Sequence, residues 1–424
     1  MTPENIQENV HHDKSDTVQV DDKVYLTSSL AAMHPGGELF VKAFSGRDAT
    51  EAFLSYHRRS FPHSIMTKHL VATAIPLKDK ENDKDYLELC KIIEKVLPRE
   101  KAFAPYHYYL KIVFILSVTF GLEFYMHATK FYVWYLSIIQ GVFMALIGLN
   151  IQHDANHGAI SRNPWVNRTL GFSQNWIGGS AISWIHQHVV QHHIHCNDVH
   201  NDPDINGNFF LRLNPLKDSK YIYFYQHAYA FIIIGFFGFT VCVDSFIDVL
   251  YGRHFTPMAK QLKPNRFFDS IISMVYFLRW IALPLYQVPS IYTFLNICPM
   301  FIVGGYYLAF FFILSHNFVG VHFFDKNSKT HNYSFLYRQA SSSSNVGGAF
   351  LCFINGGLNY QIEHHLFPRI QHSHYPKIAP FVREYCLSKN IPYKHFPTIS
   401  ENMISTMNHL FNLGHKITPA NFEK

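Results

Sequence analysis

The chain has 424 residues, with 36 Lys and Arg against 30 Asp and Glu, and 48% of it is apolar. A net charge of +6 with no long Lys/Arg block argues against nucleic-acid binding, and six scattered cysteines without a CxxC pair argue against a disulfide framework or a thiolate metal site. A mean hydropathy near zero averages a polar first hundred residues with a middle rich in Phe, Ile, Tyr and Leu, which predicts a soluble part joined to a membrane part.

Residues 1–16 are polar and read as disordered, and with no apolar run in the first thirty positions the N-terminus is expected in the cytosol. Thr17–Val20 and Lys23–Leu26 read as a strand pair about an Asp21-Asp22 turn. Next come Met33-His34-Pro35-Gly36-Gly37-Glu38, then Gly46-Arg47-Asp48-Ala49-Thr50-Glu51-Ala52-Phe53, then His57. On these motifs, residues 17–77 resemble the small α+β haem-binding fold of cytochrome b5, and the resemblance implies haem b with His34 and His57 as axial ligands. His63 and His69 stand close by as alternatives to His57. Pro35 and the two glycines suit a tight turn that brings His34 to a haem face. Two axial imidazoles leave no position for oxygen, so such a haem passes electrons and does not react itself.

Residues 78–105 form a charged linker, with an amphipathic helix predicted at Asp85–Val96, stopped by Pro98, whose charges are a solvated face. Apolar segments then follow at Tyr109–Met126 and Phe131–Gln152, each near the length that crosses a bilayer and joined tightly enough to be a hairpin. Gly171–Trp184 is short and polar and reads as interfacial or re-entrant. Three more apolar stretches, Tyr223–Val243, Ser270–Leu285 and Ile291–Ser315, separate the second and third histidine clusters. The last two read as a hairpin preceded by Arg253, Lys260, Lys263 and Arg266 on the cytosolic side, and Tyr223–Val243 is placed in the membrane surface. Residues 106–397 are therefore expected to be an all-α membrane domain of about four transmembrane helices with a cytosolic histidine-box cap, and 398–424 a C-terminal tail.

The histidines fall in three boxes: His153-Asp154-Ala155-Asn156-His157, His188-Val189-Val190-Gln191-His192-His193 and Gln361-Ile362-Glu363-His364-His365. On helices, the pairs His153/His157 and His188/His192 would each share a face and converge on a metal. Seven box imidazoles exceed the four ligands of a tetrahedral zinc, and carboxylates are scarce within the boxes, so a nitrogen-rich pair of irons is expected. Gln361 stands where a histidine would complete the third box. His316, at the end of the last apolar segment, adds an eighth imidazole at the same depth.

The order HDxxH, HxxxHH, QxxHH behind a haem module resembles the membrane fatty-acyl desaturases with a fused cytochrome b5 domain, the front-end group, over roughly Thr17 to Pro397. The resemblance implies His153, His157, His188, His192, His193, His364, His365 and His316 as iron ligands, with Gln361 as a ligand or a group behind one. Phe312 stands where stearoyl-type relatives carry an Asn. It further implies O2-dependent insertion of a cis double bond into a polyunsaturated acyl chain, carried on a lipid or CoA, on the carboxyl side of an existing one. Electrons would come from NADH through a separate cytochrome b5 reductase, in the endoplasmic reticulum membrane with the site facing the cytosol. A sphingolipid desaturase or fatty-acid hydroxylase shares this plan, and a non-catalytic haem membrane electron carrier is the alternative from another class. His186, His195 and His200 match no ligand position and are expected at most to hydrogen-bond the ligands. Asp202-Pro203-Asp204 reads as a polar turn and Ser341–Ser344 as a loop.

Overall fold

A computed structural model describes residues 14–73, 83–207, 209–251, 258–325 and 333–417. The expectations for residues 1–13, the first part of the linker at 78–82, Arg253 and the end of the tail lie outside the described residues. The N-terminal module is a three-stranded antiparallel sheet of β1 (Thr17–Val20), β2 (Lys23–Leu26) and β3 (Leu70–Thr73) in that order, with helices Thr27–Met33, Glu38–Ala43 and Thr50–His57. Asp21 takes a positive φ at the β1–β2 turn, a conformation that Asp tolerates. Lys14–Asp16, expected to be disordered, forms a helical turn tied down by Asp16, which accepts hydrogen bonds from the Ser28 hydroxyl (2.9 Å) and from Gln261.

The inward residues of this module do not close a core of their own. Val18, Val20, Tyr25, Ala43, Phe44 and Ala52 share one buried cluster with Ile182, Ile185, Val189 and Val190, which flank and enter the second histidine box. The linker helix is likewise structural. Lys84–Val96 keeps a charged face outward, but Tyr86, Leu89, Cys90 and Ile93 are buried against the segment carrying the third box, where the Tyr86 hydroxyl donates to the Leu366 carbonyl at 2.7 Å.

Among the described residues, five helices are long and apolar enough to cross a membrane: Arg99–Thr129, Trp134–Asn156, Tyr221–Asp244, Asn265–Gln287 and Ile291–His316. Four of them overlap the segments expected to cross. Their outer faces carry exposed Leu110, Val113, Phe114, Phe124 and Tyr292, as lipid contact requires. Gly171–Trp184 is broken into short helices and is not among the five. The link Val288–Ser290 joins Asn265–Gln287 to Ile291–His316, and Tyr221–Asp244, placed in the membrane surface by its sequence, is as long and apolar as they are. It crosses Ile291–His316 at bare backbone: a Cβ on Gly238 would lie 2.8 Å from the Phe301 carbonyl, and Gly305 faces it. Its N-terminal part packs on Ile399–Gly414, which is an ordered helix and not a loose tail, started by a Thr398/Glu401 capping box.

An ion pair joins two of these apolar helices. Arg279 grips both Glu123 oxygens at 2.6 and 2.7 Å and stacks on Trp176, its guanidinium 3.6 Å from the ring centroid, tying the first span to Asn265–Gln287 and to the segment between the first two boxes. Such a charge is tolerated there only when paired.

Candidate metal centre

The second span is α-helical to Leu146, widens into a π-helix over Ile147–Gln152, and resumes as α over His153–Asn156. The second box is itself π-helical, Ile185–His192. The wider turn aligns residues five apart, so His188 sits against His193, their Nε2 atoms 3.2 Å apart. This adds a pairing, His188 with His193, to the i, i+4 pair His188/His192 expected from the sequence. His188 joins His153, His157 and His364, whereas His192 joins His316, His365 and Cys196; within each set one potential ligand atom per residue lies within 4.8 Å of all the others. His188 and His192 still approach each other, with Asp204, along the seam between the sets. His193 bridges them, with its Nε2 3.0 Å from that of His364 and its ring stacked on His365 at 4.4 Å. Imidazoles from all three boxes and from the end of the last span therefore meet at one place, and all are buried.

The proton positions follow from what lies behind each ring. His192 Nδ1 donates to Asp202 at 3.1 Å, and His316 Nδ1 donates to the Ser342 carbonyl at 3.0 Å. Gln339 Nε2 donates to the His193 carbonyl at 2.7 Å, which turns its Oε1 toward His365 Nδ1 at 2.9 Å. Tyr375 and Tyr56 place hydroxyls 3.1 and 2.7 Å from Nδ1 of His364 and His157. A proton held on Nδ1 leaves the Nε2 lone pair free. The buried Nε2 atoms of His153, His157, His192 and His365 have no hydrogen-bond partner among the described residues. Buried polar atoms are rarely orphaned, and several aimed at one point fit a bound cation. Burial holds His157, His188, His193, His364 and His365 well below the ordinary imidazole pKa, so they are neutral, as metal ligands must be. His192 differs: burial opposes its charge, but the Asp204 and Asp202 carboxylates outweigh this and raise it to about 9.

Several partners were not visible as such in the sequence. Asp202-Pro203-Asp204, read as a turn, does cap a short helix, but Asp202 also orients His192. The Ser341–Ser344 run, read as a plain loop, is buried and supplies the carbonyl behind His316. Cys196 Sγ lies 3.5 Å from His316 Nδ1, where burial raises its pKa and keeps it a thiol. Asp154 turns away from the cluster to His372 Nδ1 at 2.7 Å. Gln361, as expected, takes the place of a box histidine and pairs its Nε2 with His316 Nε2 at 2.9 Å. His186 and His200 turn to Gln191 and Asp325 instead, at 2.9 and 3.1 Å. Phe312 brings its ring within 6.2 Å of the His188 ring.

In the N-terminal module, His34 and His57 face each other across a cavity of about 380 Å³ lined by Val18, Leu30, Phe40, Phe44 and Phe53. Their Nδ1 atoms donate to the carbonyls of Gly37 (2.8 Å) and Phe53 (3.0 Å), freeing both Nε2 atoms. The ring centroids are 6.0 Å apart, which suits one metal atom bonded at about 2 Å to each ring. His63 is engaged by Tyr25 and Asp21, both at 2.6 Å, and His69 by Ser29, which leaves His57 as the second ring.

The fatty acid desaturase family model matches residues 128–397. The chain belongs to the fatty acid desaturase family. The desaturase also carries a cytochrome b5-like haem/steroid-binding domain, matched over residues 2–75. It is 43% identical over 412 residues to the acyl-lipid (7-3)-desaturase of Rebecca salina, covering 95% of this chain and 92% of that one. The acyl-lipid (7-3)-desaturase of Diacronema lutheri is 40% identical, with 95% and 91% covered, and the Delta(5) fatty acid desaturase A of Dictyostelium discoideum is 30% identical, with 95% and 92% covered. The protein is thus a membrane oxidoreductase of the front-end type with a fused haem module.

Proposed function

We propose that two irons are held by the box imidazoles, one by His153, His157, His188 and His364, the other by His192, His316 and His365, with His193 between them and Gln361 at the Nε2 side of His316. The observation that supports this is the convergence of unpartnered Nε2 atoms from three boxes. His34 and His57 would hold haem b. Bound there, the irons would supply the O2-derived oxidising power that an unactivated methylene requires, and the haem would supply single electrons.

The chain's residues do the rest. Asp202, Gln339, Tyr375 and the Ser342 carbonyl fix ring orientation and keep protons on Nδ1. Phe312, packed with Leu149, Phe311 and Leu358, stands beside His188 and keeps water from that side of the cluster. No acid or base is needed to abstract a hydrogen that is not acidic. The product is an acyl chain with a new cis double bond on the carboxyl side of an existing one. The names of the Rebecca salina and Diacronema lutheri proteins support a lipid-bound acyl substrate over a CoA thioester and make their positional activity the first to test. Electrons reach the module from NADH through a separate reductase, at the cytosolic face of the endoplasmic reticulum.

Expression in a yeast lacking polyunsaturated lipids, with candidate acids fed singly, tests this reading. Gas chromatography should show a product with one further double bond on the carboxyl side. A hydroxylated product would make the enzyme a hydroxylase, and no new product with any acid would favour the electron carrier.

A further inference from the structure

The haem module touches the boxes directly. Tyr56, which immediately precedes His57, places its hydroxyl 2.7 Å from Nδ1 of His157, 101 residues away. We propose that Tyr56 is a positioning residue of the iron site, so that the electron-donor module is a fixed part of that site and not a swinging tether. The inference rests on the reading of His157 as an iron ligand.

Three sets of contacts carry it. First, Tyr56 stands to His157 as Asp202 stands to His192, Tyr375 to His364 and Gln339 to His365: it is the group behind Nδ1, while the Nε2 of His157 faces the cluster unpartnered. Second, the crevice between His34 and His57 is walled in part by the desaturase domain, through His157 and Gly158 at the end of the first box, Arg162, and Arg369 just after the third. Third, the docking is held on several sides. Glu51 pairs with buried Arg338, whose Nη1 also donates to the Ile194 carbonyl beside the second box at 3.4 Å. Arg58 Nη1 donates to the Leu97 carbonyl at 3.0 Å. The module's apolar core is continuous with Ile182, Ile185, Val189 and Val190. Lifting the module would expose that core and leave His157 Nδ1 without its partner.

The test uses full-length holoenzyme and a chelator of ferrous iron, following release of non-haem iron while the Soret band reports the haem. Tyr56→Phe removes only the hydroxyl. Loss of a group behind a metal-bound histidine weakens metal binding about 10- to 100-fold, so Tyr56→Phe should release non-haem iron at least about tenfold faster, with haem content and Soret position unchanged. Its 57Fe Mössbauer spectrum should differ from wild type in the doublet of one iron. Glu51→Gln loosens the docking without touching His157 and should release iron more slowly than Tyr56→Phe does. Wild-type release from Tyr56→Phe, while His157→Ala loses its iron, would overturn the inference alone, as would Glu51→Gln matching Tyr56→Phe. Full iron retention by His157→Ala would overturn the ligand reading and this inference with it.

Discussion

Asp202→Asn tests whether the groups behind the imidazoles set the metal site. Asp202 is fully buried; Oδ1 accepts from His192 Nδ1 and from the Asp204 amide at 2.9 Å, and Oδ2 accepts from the Asn197 amide at 2.8 Å. An asparagine keeps one oxygen and turns an NH2 toward N–H groups on the other side. At least one donor is then orphaned, at about 1–3 kcal/mol for each. If the NH2 faces His192, the ring must also move its proton to Nε2, the atom that would bind iron. A loss of about 10- to 100-fold in iron affinity is expected, which is about 1.4–2.8 kcal/mol. Because His192 belongs to the second set, elemental analysis should show non-haem iron falling from about two per chain toward one, with haem unchanged. Product formation should fall in step. An Asp202→Asn enzyme with full iron and wild-type turnover would refute the reasoning.

Gly36→Ala should cost the module its haem, because a Cβ there would lie 2.9 Å from His34 Cε1; the Soret band should shrink while non-haem iron persists. Acid should destabilise the haem-free protein in a defined range. Burial lowers the pKa of His57 to about 3, against about 6.5 for an unfolded histidine. Between those values the unfolded chain binds a proton that the folded one does not, so His57 lowers stability by about 1.4 kcal/mol per pH unit on acidification and adds no slope above pH 7. The unfolding midpoint of the haem-free protein should fall in that range, and the same fall in a His57→Gln variant would contradict it. Arg279→Met should destabilise by about 3–5 kcal/mol, because Glu123 is left charged and buried. Adding Glu123→Gln should recover much of that, measured as the thermal midpoint in detergent; an additive double variant would argue against the pair.

The elements were legible because their causes are local. Each long apolar helix shows as an apolar run, the β1–β2 hairpin as alternation about Asp21-Asp22, and His34 as a residue fixed by its own turn. The boxes were legible as converging sets of imidazoles but not in every pairing. An α-helical reading pairs His188 with His192, whereas the π-helix over Ile185–His192 adds a residue per turn and pairs His188 with His193. No periodicity in Ile185–His192 signals that change. The groups behind the rings were least legible. Gln339, Tyr375 and Tyr56 acquire their roles only through tertiary packing, and Asp202 looked like half of a turn because it is also one. The linker helix and the C-terminal helix were undervalued for a related reason: the apolar faces of Lys84–Val96 and Ile399–Gly414 are short, and what they cover is set by residues far away in the chain.

The central claim is that imidazoles from three boxes hold a pair of irons beside a separately ligated haem. Anomalous scattering at the iron edge from the purified full-length protein tests it most directly. The account predicts a peak between His34 and His57 and two more within the histidine cluster, one ringed by His153, His157, His188 and His364, the other by His192, His316 and His365. A single peak in the cluster, or none there beside an occupied haem, would contradict it.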